Sequence, residues 1–187
     1  MPRPQERPAE YADLFSLPAT LVGEIIDGEL HTHPRPAPKH ARASSSLGVE
    51  IGGPFDQGKG GGSGGWWILD EPELHLGANI VVPDLAGWRR ERLPQLPDTA
   101  WIEMTPDWVG EVLSPSTARI DRMTKLPLYA VSGIPYCWLA DPSARTLEAF
   151  RLRDAQWVLL ASFVDDATVA AEPFEAAPFA LDALWAD

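Results

Sequence analysis

The sequence predicts an α/β fold of the mixed α+β kind, with a β-hairpin near each end. Two observations predict this class. Short strand-like runs alternate with helical patterns in the order hairpin, helix, strands, helix, strand, hairpin. The length of 187 residues suits one sizeable core and leaves little room for a second. We therefore assign residues 11–187 to a single domain and the proline-rich residues 1–10 to a flexible N-terminal segment.

A hairpin and a helix are the first predicted elements. Residues 21–31 predict two short strands joined at the Asp27–Gly28 turn, a pair that tolerates positive φ. Pro38 suits the first turn of a helix that runs to about Ile51, along which apolar residues recur at helical spacing. The glycine-rich run 57–65 is a loop, either substrate-facing or disordered. It leads into a strand rather than a helix, which argues against a phosphate-cradling loop.

The middle of the chain predicts strands. Their aromatic and β-branched residues are those that pack well on a pleated surface. The predicted strands are 66–69, 73–76, 80–88 with an interruption at Pro83, and 108–113.

A second helix and a terminal hairpin are predicted after these strands. Ser116 or Thr117 can cap the helix, and Pro127 should break it just after Lys125 because proline lacks an amide donor and clashes with the preceding turn. A buried strand and turn at 136–142 follow. The hairpin strands are 146–152 and 156–163, and the tail residues predicted to pack on the body are Phe174, Phe179, Leu181 and Trp185.

Composition limits the functional classes. With 15 Lys and Arg against 27 Asp and Glu, the net charge is -12, so the average surface repels phosphate backbones. This counts against strong nonspecific DNA binding but permits a local basic groove. The one cysteine, Cys137, cannot form an intramolecular disulfide and favours a reducing compartment. The sequence shows no apolar signal segment or membrane-length run, so we predict a cytoplasmic protein with no membrane partner.

Two carboxylates stand in apolar, strand-like settings. They are Asp84, after Val82 and Pro83, and Glu111, within the run 108–113. Burying an unpaired carboxylate is costly, and a shared metal ion would explain both. Simpler readings remain open at this stage: Asp84 could end a strand, and Glu111 could pair with a buried arginine.

Several motifs, in their order and spacing, resemble those of a known family. They are 24–30, His40, 82–84, 111–117, Asp121, Lys125, Tyr129, Gly133 and 136–142. Together they resemble the Uma-type restriction endonuclease family of the PD-(D/E)XK nuclease superfamily. The resemblance covers nearly the whole chain.

This resemblance implies a restriction-endonuclease-like fold, in which helices flank a mixed β-sheet, and a metal site. It implies that Asp84 and Glu111 bind Mg²⁺ or Mn²⁺, and the backbone carbonyl of Val112 is a further candidate ligand. The superfamily usually places a lysine two residues after the second acid, where this chain has Leu113. Lys125 matches a relocated lysine that would orient the attacking water. An exposed salt bridge from Lys125 to the acid four residues earlier is the alternative.

Two further residues are candidates for the site. Glu24 either points into the cleft or pairs with a neighbour in the hairpin. His40 could contact a phosphate or assist proton transfer, although a histidine in the first turn of a helix is also a common surface or capping residue.

Two functional classes follow. The first is a metal-dependent endonuclease that hydrolyses DNA phosphodiester bonds, with DNA bound in a local groove. The second is a catalytically inactive nuclease-fold protein that acts as a nucleic-acid-binding, regulatory or interaction module. Because many nucleases that cut two strands act as dimers, a homodimer is also an expectation.

Overall fold

Thirteen strands and four α-helical segments make up residues 7–185, the part of the chain that the computed structural model describes. The strands are β1 (Leu21–Ile26), β2 (Glu29–Pro34), β3 (Trp66–Asp70), β4 (Glu73–Leu76), β5 (Asn79–Val81), β6 (Leu85–Arg89), β7 (Trp101–Ile102), β8 (Trp108–Val112), β9 (Tyr136–Asp141), β10 (Thr146–Arg153), β11 (Gln156–Val164), β12 (Thr168–Val169) and β13 (Phe179–Ala180). The helical segments are α1 (Tyr11–Leu14), α2 (Pro38–Ile51), α3 (Ala118–Ile120) and α4 (Leu126–Val131). Wider π-type turns occupy Gly52–Asp56 and Asp121–Lys125, and 3₁₀ turns occupy Lys59–Gly61 and Leu181–Leu184.

The strands form two mixed sheets and a small ribbon. The larger sheet has the order β11-β10-β9-β8-β6-β3, and only its β8–β9 pair is parallel among these described strands. The smaller sheet has the order β2-β1-β5-β4-β7, with a parallel β4–β7 pair. Strands β12 and β13 pair with each other. The predicted mixed fold class is confirmed.

The locally encoded elements agree with the sequence predictions. The Asp27–Gly28 turn has φ values of 51° and 78°, as a tight hairpin turn requires. Helix α2 begins at Pro38 and ends at Ile51. The terminal hairpin forms from β10 and β11, and the four apolar tail residues named above are buried. Within the described residues, no helix has the length and apolar character needed to cross a membrane.

The run 80–88 differs most from its prediction. It divides between the two sheets, because β5 pairs with β1 and β4 whereas β6 pairs with β3 and β8. Pro83 lies between them, where it cannot donate a ladder hydrogen bond. The chain therefore crosses from one sheet to the other at residues 82–84.

The second helical region is broken, as Pro127 predicts. A π-type turn ends at Lys125, and α4 begins at the next residue with Pro127 in its first turn. The expected cap is not made: Thr117 stands at the N-cap position of α3, but its side chain caps no helix amide. Its hydroxyl instead accepts a hydrogen bond from the Ser114 amide at 3.3 Å.

Side chains on the two faces of β8 reach different cores. Trp108 and Val112 pack with α2 and the C-terminal tail. Val109 and Leu113 pack with residues of the smaller sheet and α4. Since side chains alternate along a strand, Glu111 belongs to the second face and projects between the sheets.

The division into a flexible segment 1–10 and a domain 11–187 stays a prediction. Residues 1–6 and 186–187 lie outside the described part of the chain. Within it, the Ala9 amide donates a hydrogen bond to the Gly28 carbonyl at 2.7 Å.

Candidate active site

A cavity of about 270 Å³ lies where the sheet crossing, the end of β8 and the π-type turn meet. Its walls include predicted site residues from each of these elements. Those residues are Asp84, Glu111 and Lys125, and His40 joins them from α2. Segments far apart in sequence thus converge on one polar cavity.

Asp84 is held by the end of β8. Its Oδ2 accepts a hydrogen bond from the Val112 amide at 2.8 Å. Its own amide nitrogen lies 3.4 Å from Oε2 of Glu111, a long contact. The two predicted metal ligands are therefore neighbours, and the Val112 backbone lies beside them.

Glu111 is almost completely buried, with 2% of its surface exposed. One carboxylate oxygen accepts a hydrogen bond from the hydroxyl of Tyr129, and the same Oε1 lies 2.7 Å from Nζ of Lys125. Burial raises the pKa of Glu111 well above its ordinary value; Lys125 opposes this, while nearby carboxylates add to it. The partner that the sequence left open is a lysine and not an arginine.

Lys125 is the centre of a buried charge cluster. Its Nζ lies 2.7 Å from Glu111, 3.1 Å from Glu24 and 3.9 Å from Asp121, and only 3% of its side chain is exposed. Burial acts to lower the pKa of Lys125, but these carboxylates outweigh it and raise the pKa well above the ordinary value. The alternative of an exposed pair with Asp121 is therefore wrong.

Leu113, which stands where the superfamily usually has a lysine, is part of the hydrophobic core. Leu113 is buried in the cluster that also contains Val109 and Leu139. A cation at this position would have to be buried among apolar side chains, at a large desolvation cost.

Glu24 faces the site and not its hairpin neighbours. Strand β1 presents it so that Oε1 contacts Lys125 and also accepts a hydrogen bond from the Val82 amide at 2.8 Å. Glu24 therefore bridges the smaller sheet, the crossing segment and the lysine.

His40 is buried beside Asp84. Its Nε2 lies 3.3 Å from Oδ1 of Asp84, and its Nδ1 has no hydrogen-bond partner among the described residues. Burial acts to lower the pKa of His40, but the Asp84 carboxylate and the Val112 backbone raise it overall. The surface-residue alternative for His40 is wrong.

Two further residues complete the cluster: one was predicted only as a possible salt-bridge partner of Lys125, and the other had no predicted role. Asp121 and Tyr129 lie four residues before and after Lys125, a spacing that places side chains on one face of a helix. Both contact the cluster, Asp121 through Lys125 and Tyr129 through Glu111. The repeated spacing of four was the signal that could have identified them.

The donor set suits a hard divalent cation. One lysine faces three buried carboxylates, and Asp84 adds a fourth next to Glu111. In residues 7–185, no three His, Cys, Asp or Glu side chains form a ready metal-binding group. Two carboxylates and a backbone carbonyl nevertheless suffice for Mg²⁺, which keeps several water ligands. The catalytic and metal-binding roles of these residues stay predictions.

Comparison with known proteins identifies the family. The family model Uma2, described as "Putative restriction endonuclease", matches residues 8–183. This chain belongs to the Uma2 family. This chain is also similar in structure to a protein from Anabaena variabilis described as a putative nuclease belonging to DUF820, with a TM-score of 0.73 and 22% identity. That match covers 92% of this chain and 95% of the other, and it supports the fold. No curated protein matches this chain.

Proposed function

We propose that this protein is a metal-dependent endonuclease that hydrolyses phosphodiester bonds in DNA. The observation that carries the proposal is one arrangement around Glu111. Its Oε2 lies 3.4 Å from the Asp84 amide, and its Oε1 lies 2.7 Å from Nζ of Lys125. Two carboxylates in a shared cavity can hold a divalent cation that activates water for phosphodiester hydrolysis, and a lysine beside them can stabilise developing negative charge. Membership of the Uma2 family supports the same reaction class.

The residues that would hold Mg²⁺ or Mn²⁺ are Asp84, Glu111 and the backbone carbonyl of Val112. When bound there, the ion would neutralise charge that develops on the phosphate and lower the pKa of a bound water molecule. The excess of buried carboxylate supports this assignment, because it leaves the cavity short of positive charge.

Lys125 would orient the attacking water. An ammonium group has three donors, and Lys125 directs them towards Glu111, Glu24 and the Val82 carbonyl. The contact with the carbonyl is the longest of the three at 3.4 Å, beyond the usual range for a hydrogen bond. A water molecule can replace it with little loss, while the two carboxylates keep the lysine charged and in place.

Three neighbours would position these groups. Tyr129 fixes the Glu111 carboxylate, and Glu24 fixes the ammonium of Lys125. His40 would contact the substrate phosphate from beside Asp84, because it lines the same cavity.

The test is a cleavage assay on duplex and single-stranded DNA, with and without Mg²⁺ or Mn²⁺. The variants are Asp84→Asn and Lys125→Met, each confirmed as folded by circular dichroism at the assay temperature. We expect metal-dependent cleavage by the wild type and a loss of about 100-fold or more in each variant. Controls are Asp98→Asn and Lys59→Met, which change exposed residues outside the cavity.

Cleavage without added metal in the presence of EDTA, or variants as active as the wild type, would contradict the proposed mechanism. DNA binding by every form without cleavage would instead favour the inactive nucleic-acid-binding class. The predicted homodimer, the reducing compartment and the cytoplasmic location stay predictions.

A further inference from the structure

The wall of the candidate active site contains a second cation besides Lys125. Among the described residues that line this cavity, the lysine and arginine side chains are those of Lys125 and Arg35. Lys125 is buried, and its ammonium group lies 2.7 Å from Glu111 and 3.1 Å from Glu24. Arg35 is exposed and directly follows strand β2. It is therefore the cation of this wall that faces solvent.

The backbone at Arg35 has little conformational freedom. Pro34 ends β2, and Pro36 restricts the preceding Arg35 to extended conformations. The Arg35 amide nitrogen also lies 3.3 Å from the Thr20 carbonyl oxygen. These constraints fix the point from which the side chain reaches the cavity.

One nitrogen of the Arg35 guanidinium is tied to the protein. Its Nε donates a hydrogen bond to the Ala19 carbonyl at 2.9 Å. The other N–H donors of a guanidinium belong to Nη1 and Nη2. Within the part of the chain that the structure describes, neither of these nitrogens has a hydrogen-bond or ion-pair partner. One bond thus orients the side chain, and two nitrogens stay available for a ligand.

The cavity offers carboxylates to Arg35, yet the guanidinium pairs with none of them. The acidic residues in the wall are Glu71, Asp84, Glu111 and Asp121. An arginine that served to neutralise this charge would form an ion pair, as Lys125 does with Glu111. Arg35 instead contacts a backbone carbonyl. Its charge is therefore available to an anion that enters the cavity.

We propose that Arg35 binds non-bridging oxygens of the substrate phosphodiester in this cavity through Nη1 and Nη2. The planar fork of a guanidinium matches two phosphate oxygens, whereas an ammonium group acts as a point charge. This inference rests on the proposed function, because it places the substrate phosphate beside Asp84 and Glu111. Arg35 is then a further catalytic residue, which stabilises the negative charge that develops on the phosphate.

The first test measures binding of fluorescein-labelled duplex and single-stranded DNA by fluorescence anisotropy, with Ca²⁺ in place of Mg²⁺. The variant Arg35→Gln removes the charge, and Arg35→Lys keeps the charge but removes the fork. The control is Arg153→Gln, because Arg153 is exposed on β10 and does not line the cavity. Thermal midpoints verify that every variant is folded.

We expect the Kd for DNA to rise about tenfold in Arg35→Gln, by a smaller factor in Arg35→Lys and not at all in Arg153→Gln. The rate of DNA cleavage with Mg²⁺ or Mn²⁺ should fall in the same order. Isothermal titration should give Arg35→Gln the wild-type Kd for Mn²⁺, because Arg35 is not a metal ligand. A weaker binding of DNA or a slower cleavage, with unchanged binding of Mn²⁺, supports the contact with phosphate.

The outcomes separate this inference from the proposed function. Wild-type cleavage, with the same DNA Kd and rate in Arg35→Gln, would refute the role of Arg35 and leave hydrolysis standing. A raised DNA Kd in Arg35→Gln, in a protein that never cleaves DNA, would support the phosphate contact and refute hydrolysis.

Four other results would overturn the inference. They are a wild type that binds neither DNA, an equal rise of the DNA Kd in Arg153→Gln, a loss of Mn²⁺ affinity in Arg35→Gln, and an Arg35→Lys variant that matches the wild type in binding and cleavage.

Discussion

Nζ of Lys125 lies 2.7 Å from Oε1 of Glu111, although the two residues belong to different elements and are both almost fully buried. In the usual signature of the superfamily, the lysine follows the second acid on the same strand. Here Lys125 ends a π-type turn of the helical region and contacts the Glu111 carboxylate from there. The ion pair therefore joins β8 to the helices that cover it. The same two residues thus contribute to the stability of the fold and belong to the candidate active site.

Lys125→Met should be strongly destabilising. The substitution keeps most of the side-chain volume but leaves the buried carboxylates Glu24, Glu111 and Asp121 without their cation. Removal of one partner from a buried ion pair costs about 3–5 kcal/mol. Urea unfolding at pH 7.5 measures this loss, with Lys59→Met as the exposed control. A loss below about 1 kcal/mol would contradict the buried cluster.

The loss in Lys125→Met should also grow with pH. Burial raises the pKa of Glu111 well above its ordinary value of 4.5, so the folded protein holds this proton more tightly than the unfolded chain does. Such a group gives stability that is complete below the unfolded pKa and declines as pH rises towards the folded pKa. Without Lys125 the pKa of Glu111 in the folded protein rises further. The loss of unfolding free energy in Lys125→Met should therefore be smaller at pH 5 than at pH 8. An equal loss of unfolding free energy at both pH values would show that the uncompensated carboxylate charge does not cause it.

Tyr129→Phe should cost about 1–3 kcal/mol of unfolding free energy. The hydroxyl of Tyr129 donates to the buried Glu111 carboxylate, which would lose that donor without access to water. Tyr136→Phe is the matched control, because the hydroxyl of Tyr136 faces Glu172, whose side chain is 36% exposed and can bond to water instead. Chemical denaturation measures the unfolding free energy of both variants. Equal losses in the two would show that the hydrogen bond to Glu111 stabilises the protein no more than the exposed contact of Tyr136 does.

Gly110→Ala should destabilise the protein by about 1–3 kcal/mol through overpacking. A methyl group at this position of β8 would lie 2.7 Å from the indole of Trp108, which is fully buried and cannot move freely. The neighbouring residue is Glu111, so displacement of the strand should also disturb the candidate site. Gly53→Ala is the control, since no atom lies within 4 Å of its added methyl group. The measurement is the thermal midpoint, and a midpoint no lower than that of Gly53→Ala would contradict this packing.

Local signals in the sequence predicted much of the fold. The Asp27–Gly28 turn, the start of α2 at Pro38 and the break before Pro127 depend on backbone preferences of single residues or pairs. The order of elements predicted a mixed α and β fold, and their apolar settings marked Asp84 and Glu111 as unusual acids. The family resemblance added the sheet flanked by helices and the predicted metal-binding roles. These features needed no knowledge of distant contacts.

The features that could not be predicted depend on pairing between distant segments. Pro83 marked an interruption, but it did not indicate that β5 and β6 enter different sheets. The two-residue strand β7 exists through its pairing with β4 and is too short to leave a periodic signal. The burial of Lys125 likewise depends on Glu24, which lies a hundred residues earlier in the chain.

Binding of Mn²⁺ to the metal-free protein is the most direct test of the central claim, because it does not depend on the choice of DNA. Isothermal titration at pH 7.5 would compare the wild type with Asp84→Asn and with the exposed control Asp98→Asn. We predict that the wild type and Asp98→Asn bind one ion per chain with the same Kd, and that Asp84→Asn binds about tenfold more weakly or not at all. A wild type that binds no Mn²⁺, or an Asp84→Asn variant that binds it as tightly as the wild type, would contradict the assignment of a metal to Asp84 and Glu111.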